Sequence, residues 1–356
     1  MAFPVAALGV FAVAFALSAG GAEVAKRLGR RWGLVARPGG RRRHRGEIPR
    51  SGGLALWLAF TGAVLLAQVL PIPRFDPKEG IRLTGLLVGG TFSVLLGLLD
   101  DRWELPAGLQ LVGQALIASS AIPFLIFIEY VNNPLTGRPL YFPTLLVWGL
   151  TLFWLVGMMN TVNWLDGVDG LAAGVVAIVA AVLFVHAGYR LNPPQHSVAL
   201  LPAALAGACL GFLPWNWPPA RLFMGSSGAL FLGYTLGALA IVGGAKVATV
   251  VMAMALPIAD VAWLIAYRWR RGRSPTQGGR DHLHFRLLDA GWSPRRVVGT
   301  YYAFAAAAGG IALVIPSALY KALALVLLAT LLLWVLRQAP PEASPRSAEE
   351  ALPPRS

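Results

Sequence analysis

Charged residues are scarce in this sequence. They make up 13% of the 356 residues, whereas hydrophobic residues make up 56%; an ordinary soluble domain carries about 25% charged residues. This composition excludes an ordinary soluble protein, and no long polar stretch remains that could form a separate soluble domain. The apolar residues instead occur in long runs, and about 20 such residues suffice to cross a membrane.

Cysteine and acidic residues are also few. The sequence has a single cysteine, Cys209, which excludes an intrachain disulfide. Cys209 lies within an apolar run, which argues against thiol chemistry as the basis of function. The 16 acidic residues are outnumbered by 30 Lys and Arg, giving a formal net charge of +14. Nucleic-acid binding would need these cations on one solvent-facing surface, and the apolar runs separate them. We therefore predict no nucleic-acid partner.

The apolar runs predict an all-α, polytopic integral membrane protein with about eleven transmembrane helices. The predicted spans are 3–25, 51–71, 83–99, 106–128, 143–162, 170–188, 197–214, 229–244, 247–267, 298–316 and 319–336. Residues 1–337 then form a single transmembrane domain. Residues 338–356, which are rich in Pro, Ser and Glu, are predicted to form a disordered tail.

The distribution of Lys and Arg predicts the orientation of the spans. When alternate loops are assigned to alternate sides, most of the basic residues fall on one side, which the positive-inside rule makes cytoplasmic. The N-terminus is then outside and the C-terminus, with its tail, is cytoplasmic. The first span has no basic residue before it, so it is predicted to be a retained anchor and not a cleaved signal.

The polar residues of the predicted cytoplasmic side are clustered. They occur in residues 36–53, 99–105, 160–170, 214–228 and 271–293. These segments carry carboxylates, imidazoles and arginines at the ends of spans. Single loop charges are often merely solvated, but carboxylates beside the hydrocarbon are costly unless they are paired or bind a metal. Several carboxylates together with basic partners favour a functional site.

Two acidic motifs have the residue types of a cation and phosphate site. In NTVNWLDGVDG, Asn163, Asp166 and Asp169 follow a span directly, and glycines in the motif allow a close approach to a ligand. Carboxylates that share a cation suit Mg²⁺ or Mn²⁺. In LDDRWEL, Asp100 and Asp101 point about 100° apart on a helix, so one is expected to act directly and the other to support it.

Several motifs, in this order and on this side, resemble the polyprenyl-phosphate N-acetylhexosamine-1-phosphate transferases. That family includes undecaprenyl-phosphate GlcNAc-1-phosphate transferases and phospho-N-acetylmuramoyl-pentapeptide transferases. The resemblance extends from about residue 30 to 295. It is carried by RRRHRGEIPRSGGLAL, LGLLDDRWEL, NTVNWLDGVDGLAAG, LPIADVAWL and RDHLHFRLLDAGWS. The last of these looks more like the GlcNAc branch than the muramoyl-pentapeptide branch.

The resemblance implies a reaction and a set of site residues. A UDP-N-acetylhexosamine and a polyprenyl phosphate would give polyprenyl-diphosphate-sugar and UMP, with Mg²⁺ as cofactor and Mn²⁺ as a second choice. Asp100, Asp101 and Asp166 would be catalytic, and Asp101 and Asp166 would also bind the metal. The substrate-binding set would be Asn163, Asp169, His282, His284, Arg286, His44 and Arg50. Asp260 is expected either to pair with a nearby Arg or to act directly.

The sequence departs from the family pattern at three positions. Ser226 stands where the family usually has a metal-binding Asp, Phe285 replaces a further His, and Ala36 replaces a frequent Asp. A hydroxyl is a weaker Mg²⁺ ligand than a carboxylate, so the departures allow weaker metal binding, a shifted substrate or lost activity. We favour an active enzyme because the remaining acidic positions are intact.

Other classes stay open at this point. A non-catalytic relative acting as a membrane scaffold is compatible with Ser226. An ion-coupled transporter would place its carboxylates near the bilayer midplane on repeated halves, and this sequence has neither feature. The CDP-alcohol phosphatidyltransferases have a different spacing of acidic residues. The reading that we favour locates the protein in the cytoplasmic (inner) membrane, with a homodimer as a possible assembly.

Overall fold

The computed structural model describes residues 2–36, 46–133, 135–136, 138–242, 247–272, 274, 281–315 and 318–338. The helices are α1 Phe3–Arg31, α2 Gly52–Val69, α3 Glu79–Trp103, α4 Ala107–Ala121, α5 Thr144–Leu165, α6 Leu171–Val185, α7 His196–Asn216, α8 Gly225–Ile241, α9 Val247–Ala253, α10 Ala255–Arg270, α11 Leu283–Asp289, α12 Pro294–Val314 and α13 Ala318–Gln338. The predicted tail lies outside the described residues, apart from Gln338.

Eight helices among the described residues are long and apolar enough to cross a membrane, which confirms the expectation of a polytopic membrane protein. The predicted span 247–267 is instead a pair of helices, α9 and α10, bent by 80° at a short break. The predicted spans 229–244 and 319–336 correspond to α8 and α13, whose apolar helical segments are shorter. The count of eleven spans and the orientation of the termini stay predictions.

Two short antiparallel ladders add to the expected all-α architecture. The strands are β1 Val35–Ala36, β2 Ile48–Pro49, β3 Tyr130–Asn132 and β4 Pro139–Tyr141. Strand β1 pairs with β2, and β3 pairs with β4. Both ladders lie in loops between helices. The backbone N–H and C=O groups there have no helical hydrogen-bond partners, so the two strands of each ladder hydrogen-bond to each other. Sequence patterns of two or three residues are too short to predict them.

Small residues allow the helices to approach closely. A side chain at Gly207 or Gly211 of α7 would collide with the backbone of Phe11 or Phe15 of α1. Such contacts are typical of membrane helices, which gain little from hydrophobic burial and associate through close packing. Helix α8 is buried almost throughout between α2, α3 and α5. Its first turn is thereby fixed beside the end of α3.

Candidate active site

The buried carboxylate of Asp101 caps the first turn of α8. Its side chain is 0% exposed, and its two oxygens accept hydrogen bonds from the backbone N–H groups of Ser226 at 2.9 Å and Ser227 at 3.0 Å. The first N–H groups of a helix lack intrahelical acceptors and carry a partial positive charge. Asp101 therefore fixes the position of α8 relative to α3, which agrees with the supporting function expected for one member of the acidic pair.

Ser226 lies directly against the other carboxylate of the pair. Its hydroxyl donates a hydrogen bond of 2.5 Å to one oxygen of Asp100, and the backbone N–H of Leu105 donates to the second oxygen at 3.1 Å. Asp100 is only partly buried. The position at which the sequence departs from the family pattern is thus in contact with the acidic motif, and its hydroxyl acts there as a hydrogen-bond donor.

Arg50 reaches the same carboxylates from the start of α2. Its guanidinium lies 3.4 Å from Asp101 and 3.9 Å from the exposed Glu104. A side chain at Gly225, whose φ is +70°, would collide with the Arg50 carbonyl oxygen and the Asp101 carboxylate. The predicted entrance residue Arg50 therefore sits at the acidic cluster itself. The other predicted entrance residue, His44, lies outside the described residues.

Backbone pairing holds the first loop against α8. The N–H of Phe223 donates to the Pro49 carbonyl, and the N–H of Gly52 donates back to the Phe223 carbonyl, each at 2.9 Å. A side chain at Gly52 would collide with Phe212 and the same Phe223 carbonyl. Only glycine permits this approach. The pairing brings the first loop, the end of α3 and the start of α8 to one place.

The second acidic motif lies in the turn between α5 and α6. Asp169 accepts a hydrogen bond of 2.8 Å from the Ala220 N–H, and Asn163, Asp166 and Asp169 are all partly buried. Removal from water raises the pKa of Asp166 well above its usual value, and the neighbouring charges of Asp169 and Asp101 raise it further, while Arg50 opposes the shift. The two acidic motifs are therefore close enough to interact electrostatically.

Two carboxamides near this turn are structural. Asn160 and the fully buried Gln114 of α4 hydrogen-bond to each other, so Asn160 joins two helices. Asn216 at the end of α7 accepts a hydrogen bond of 2.9 Å from the Gly170 N–H and donates one of 3.1 Å to the Leu222 carbonyl. Sequence reasoning missed Asn216. Its position in the polar segment 214–228 was the feature of the sequence that could have indicated it.

The histidine motif is held by a buried carboxylate. Asp260 of α10 lies 2.9 Å from Nδ1 of His282 and accepts a hydrogen bond of 2.9 Å from the Leu283 N–H. The ring of His282 stacks on that of His284, with centroids 5.4 Å apart, and the guanidinium of Arg286 lies over the Trp263 ring. Of the two alternatives for Asp260, pairing with a nearby Arg is wrong, because its partner is His282; a direct function stays a prediction. The nearby Arg268 pairs with Asp281 at 2.8 Å instead.

Gly167 joins the histidine motif to the second acidic motif. A side chain at Gly167 would lie 2.5 Å from Nε2 of His284 and 2.7 Å from the ring of Phe285. The ring of Trp164, at the end of α5, is 5.6 Å from that of His282. Phe285 therefore packs on the acidic turn where the family usually has a further histidine. Segments more than 100 residues apart in sequence meet at this end of the bundle.

A divalent cation that also binds water or phosphate is a prediction for this site. Among the described residues, no group of three or more His, Cys, Asp or Glu side chains is arranged to hold a metal ion. Both oxygens of Asp101 and one oxygen of Asp100 are hydrogen-bonded to the start of α8. Asp166 nevertheless experiences the charges of Asp169 and Asp101, and a cation would relieve that repulsion. Mg²⁺ usually takes one or two carboxylates and keeps water or phosphate in its other positions.

The pairing of Asp260 with His282 gives a first testable prediction. Asp260→Asn is expected to lower kcat/KM about 10-fold to 100-fold, because a single amide oxygen cannot accept from both Nδ1 of His282 and the Leu283 N–H, so the imidazole loses its orienting carboxylate. Activity at constant protein stability is the measurement. Asp281→Asn is the control, since it removes the neighbouring carboxylate without contacting His282. Equal kinetics for the two variants would contradict the assignment of Asp260 as an orienting residue.

The four motifs that lie at one end of this membrane helix bundle can be compared with those of known families. The glycosyl transferase family 4 matches residues 83–244. Because relatives of 35% and 32% identity also cover about three quarters of the chain, this chain belongs to that family.

Two relatives illustrate the range of the family. The decaprenyl-phosphate N-acetylglucosaminephosphotransferase of Mycolicibacterium smegmatis is 35% identical over 295 residues, which cover 76% of this chain and 73% of that protein. The phospho-N-acetylmuramoyl-pentapeptide-transferase of Desulforudis audaxviator is 32% identical over 295 residues, covering 76% of this chain and 86% of that protein. Both branches named by the sequence resemblance are thus represented, which confirms the family that the motifs indicated.

Proposed function

We propose that this chain transfers N-acetylhexosamine 1-phosphate, with GlcNAc as the sugar, from a UDP-sugar to polyprenyl phosphate and releases UMP. The product would start a lipid-linked glycan of the cell envelope. The observation that carries the proposal is that His284 and Phe285 pack on Gly167. Gly167 lies in the same turn as Asp166, whose carboxyl group interacts electrostatically with that of Asp101. The relatives act on decaprenyl phosphate or transfer phospho-N-acetylmuramoyl-pentapeptide, which supports the substrate classes.

The position of the site suits a reaction between a lipid and a soluble nucleotide. The acidic motifs lie where α3 and α5 end and where α8 begins. A lipid phosphate resides at the membrane surface, so its head group could meet the nucleotide sugar only at such helix ends. We place this end of the bundle at the cytoplasmic face of the inner membrane, in agreement with the Lys and Arg distribution.

The transfer requires one bond to form and one to break. An oxygen of the lipid phosphate attacks the β-phosphorus of the UDP-sugar, and the bond from that phosphorus to the bridging oxygen breaks, so UMP leaves with the electron pair. Asp100, the more exposed of the acidic pair, would orient the lipid phosphate or accept its proton, and Asp101 would hold the start of α8. Such reactions depend mainly on positioning and charge neutralisation.

The remaining residues would position the nucleotide and the diphosphate. Asn163, Asp166 and Asp169 would bind the nucleotide and a cation, and His282, His284 and Arg286 would contact the diphosphate or sugar. Arg50 and His44 would shape the entrance for the lipid phosphate. Mg²⁺, or Mn²⁺ in its place, would neutralise the diphosphate when bound, with Asp101 and Asp166 as its protein ligands. The stacked imidazoles of His282 and His284 suit a polyanion.

Purified protein with polyprenyl phosphate, Mg²⁺ and a panel of UDP-sugars tests the proposal. UMP release is expected with UDP-GlcNAc and only when the lipid phosphate is present. Release with none of the UDP-sugars would favour a non-catalytic relative. Ion flux in proteoliposomes without nucleotide dependence would favour a transporter. The same preparation, examined at several concentrations, tests whether the active form is a homodimer.

Ser226 gives a separate prediction about the cation. Ser226→Asp is expected to lower the Mg²⁺ concentration for half-maximal activity about tenfold, because it adds a carboxylate beside Asp100, where the hydroxyl now donates a hydrogen bond. The increase in unfolding temperature on adding Mg²⁺ should also be larger, since a ligand that binds only the folded state stabilises it. Ser226→Ala is the matched control and should show neither gain. An unchanged Mg²⁺ requirement would remove this position from the cation site.

A further inference from the structure

Gly170 is held from both sides by side chains of other helices. It ends the turn that carries Asp166 and Asp169, and its φ of +78° is a conformation that favours glycine. Its N–H donates to Asn216 at 2.9 Å. Its carbonyl oxygen accepts a hydrogen bond of 2.5 Å from the hydroxyl of Tyr302. The two peptide groups that flank Gly170 are therefore each held by one contact from outside the acidic motif.

Tyr302 fixes the start of α6 as well. The Gly170 carbonyl also accepts the first hydrogen bond of α6, from the Gly174 N–H at 3.2 Å, so Tyr302 uses the second acceptor site of the same oxygen. The tyrosine lies in the space left by the missing side chain of Gly174, where a Cβ atom would collide with its ring and hydroxyl. One phenol of α12 thus contacts both the last residue of the acidic turn and the first turn of α6.

The consequence concerns the carboxylates next to Gly170. Asp169 precedes it directly and accepts the Ala220 N–H, and Asp166 lies three residues before Asp169 in the same turn. Residues that hold a catalytic turn commonly matter almost as much as the groups that touch the ligand. We propose that Tyr302 is a positioning residue for the nucleotide and cation site, acting through the Gly170 carbonyl; this inference rests on the proposed function of that turn.

The chain offers a closely matched control for the hydroxyl of Tyr302. Tyr234 of α8 is fully buried, and its hydroxyl donates a hydrogen bond of 3.0 Å to the carbonyl of another glycine, Gly85 of α3. Gly85 lies near the beginning of α3, whereas the acidic pair lies at its end. Tyr234→Phe and Tyr302→Phe therefore remove the same kind of bond, and only the second bond touches the acidic turn.

The test compares these two variants in nucleotide binding, kinetics and stability. Tyr302→Phe is expected to weaken UMP binding in the presence of Mg²⁺ and to raise the KM for UDP-GlcNAc, each about tenfold, with a smaller change in kcat. Tyr234→Phe should leave both constants unchanged at a similar loss of thermal stability. Changes in Tyr302→Phe that merely follow the loss of stability, or no change at all, would overturn the positioning assignment.

A second pair of variants tests the position of Tyr302 while leaving its own side chain unchanged. Gly174→Ala adds a methyl group where the Tyr302 ring lies and should reproduce the weaker UMP binding. Gly157→Ala is the control, since a Cβ atom there meets nothing within 4 Å. If the unaltered protein binds UMP but transfers no sugar phosphate, the proposed reaction fails while the binding comparison still decides the inference. If it does not bind UMP, both fail.

Discussion

Asp166→Asn is expected to lower kcat/KM for sugar-phosphate transfer about 10²-fold to 10³-fold. Asp166 lies in the same turn as Asp169, and the negative charges of Asp169 and Asp101 raise its pKa. The substitution keeps the shape of the side chain and removes its charge, so a cation and the nucleotide diphosphate would lose an essential compensating group. The fold should tolerate it well, because the mutual repulsion of the carboxylates is reduced.

Initial rates of UMP release at saturating and limiting UDP-GlcNAc measure this effect. Asp289→Asn is the matched control, since Asp289 is an exposed carboxylate at the end of α11 on the same side of the bundle. Its kinetics should equal those of the unaltered protein. Full activity of Asp166→Asn would exclude Asp166 from the catalytic site and leave the acidic turn with a structural function alone.

Asp101→Asn is expected to reduce both stability and activity. An amide has one acceptor oxygen, so one of the N–H groups of Ser226 and Ser227 would face an N–H donor, at a cost of about 1 to 3 kcal/mol for a buried unsatisfied group. The Arg50 ion pair at 3.4 Å would be lost as well. Displacement of the start of α8 and loss of a predicted cation ligand should lower transfer about 10²-fold or more.

Thermal unfolding in detergent and transfer kinetics together test this prediction. Glu104→Gln is the control, because Glu104 contacts the same guanidinium of Arg50 at 3.9 Å but its side chain is 73% exposed. An exposed ion pair contributes little to stability, so this variant should resemble the unaltered protein. An Asp101→Asn protein as stable as Glu104→Gln would contradict the capping of α8 by Asp101.

The sequence alone predicted the features that depend on local composition. Long apolar runs predicted the membrane helices, and the clusters of Asn, Asp and His at their ends predicted a site whose residue functions stay a prediction. The position of Ser226 beside the acidic pair also agrees with the motif pattern, since its hydroxyl contacts Asp100. The length of the apolar runs and the exceptional cost of charge near the hydrocarbon are both visible residue by residue.

The contacts that the sequence could not reveal join distant segments. The partner of Asp260 is His282 and not an arginine, a choice that depends on how α10 and α11 face each other. Tyr302 and Asn216 meet at Gly170 only because α7 and α12 both pack against α6. No periodicity in a single helix encodes which of its polar groups will face such a turn. The bend between α9 and α10 likewise arises within a continuous apolar run.

The fate of the β-phosphorus of the nucleotide sugar tests the central claim most directly. UDP-GlcNAc labelled at that phosphorus is incubated with the purified protein, polyprenyl phosphate and Mg²⁺, and the lipid and aqueous phases are separated. The account predicts that the label enters the lipid together with the sugar while unlabelled UMP is released. Label that stays in aqueous UDP while the sugar alone reaches the lipid, or a complete absence of lipid product, would contradict it.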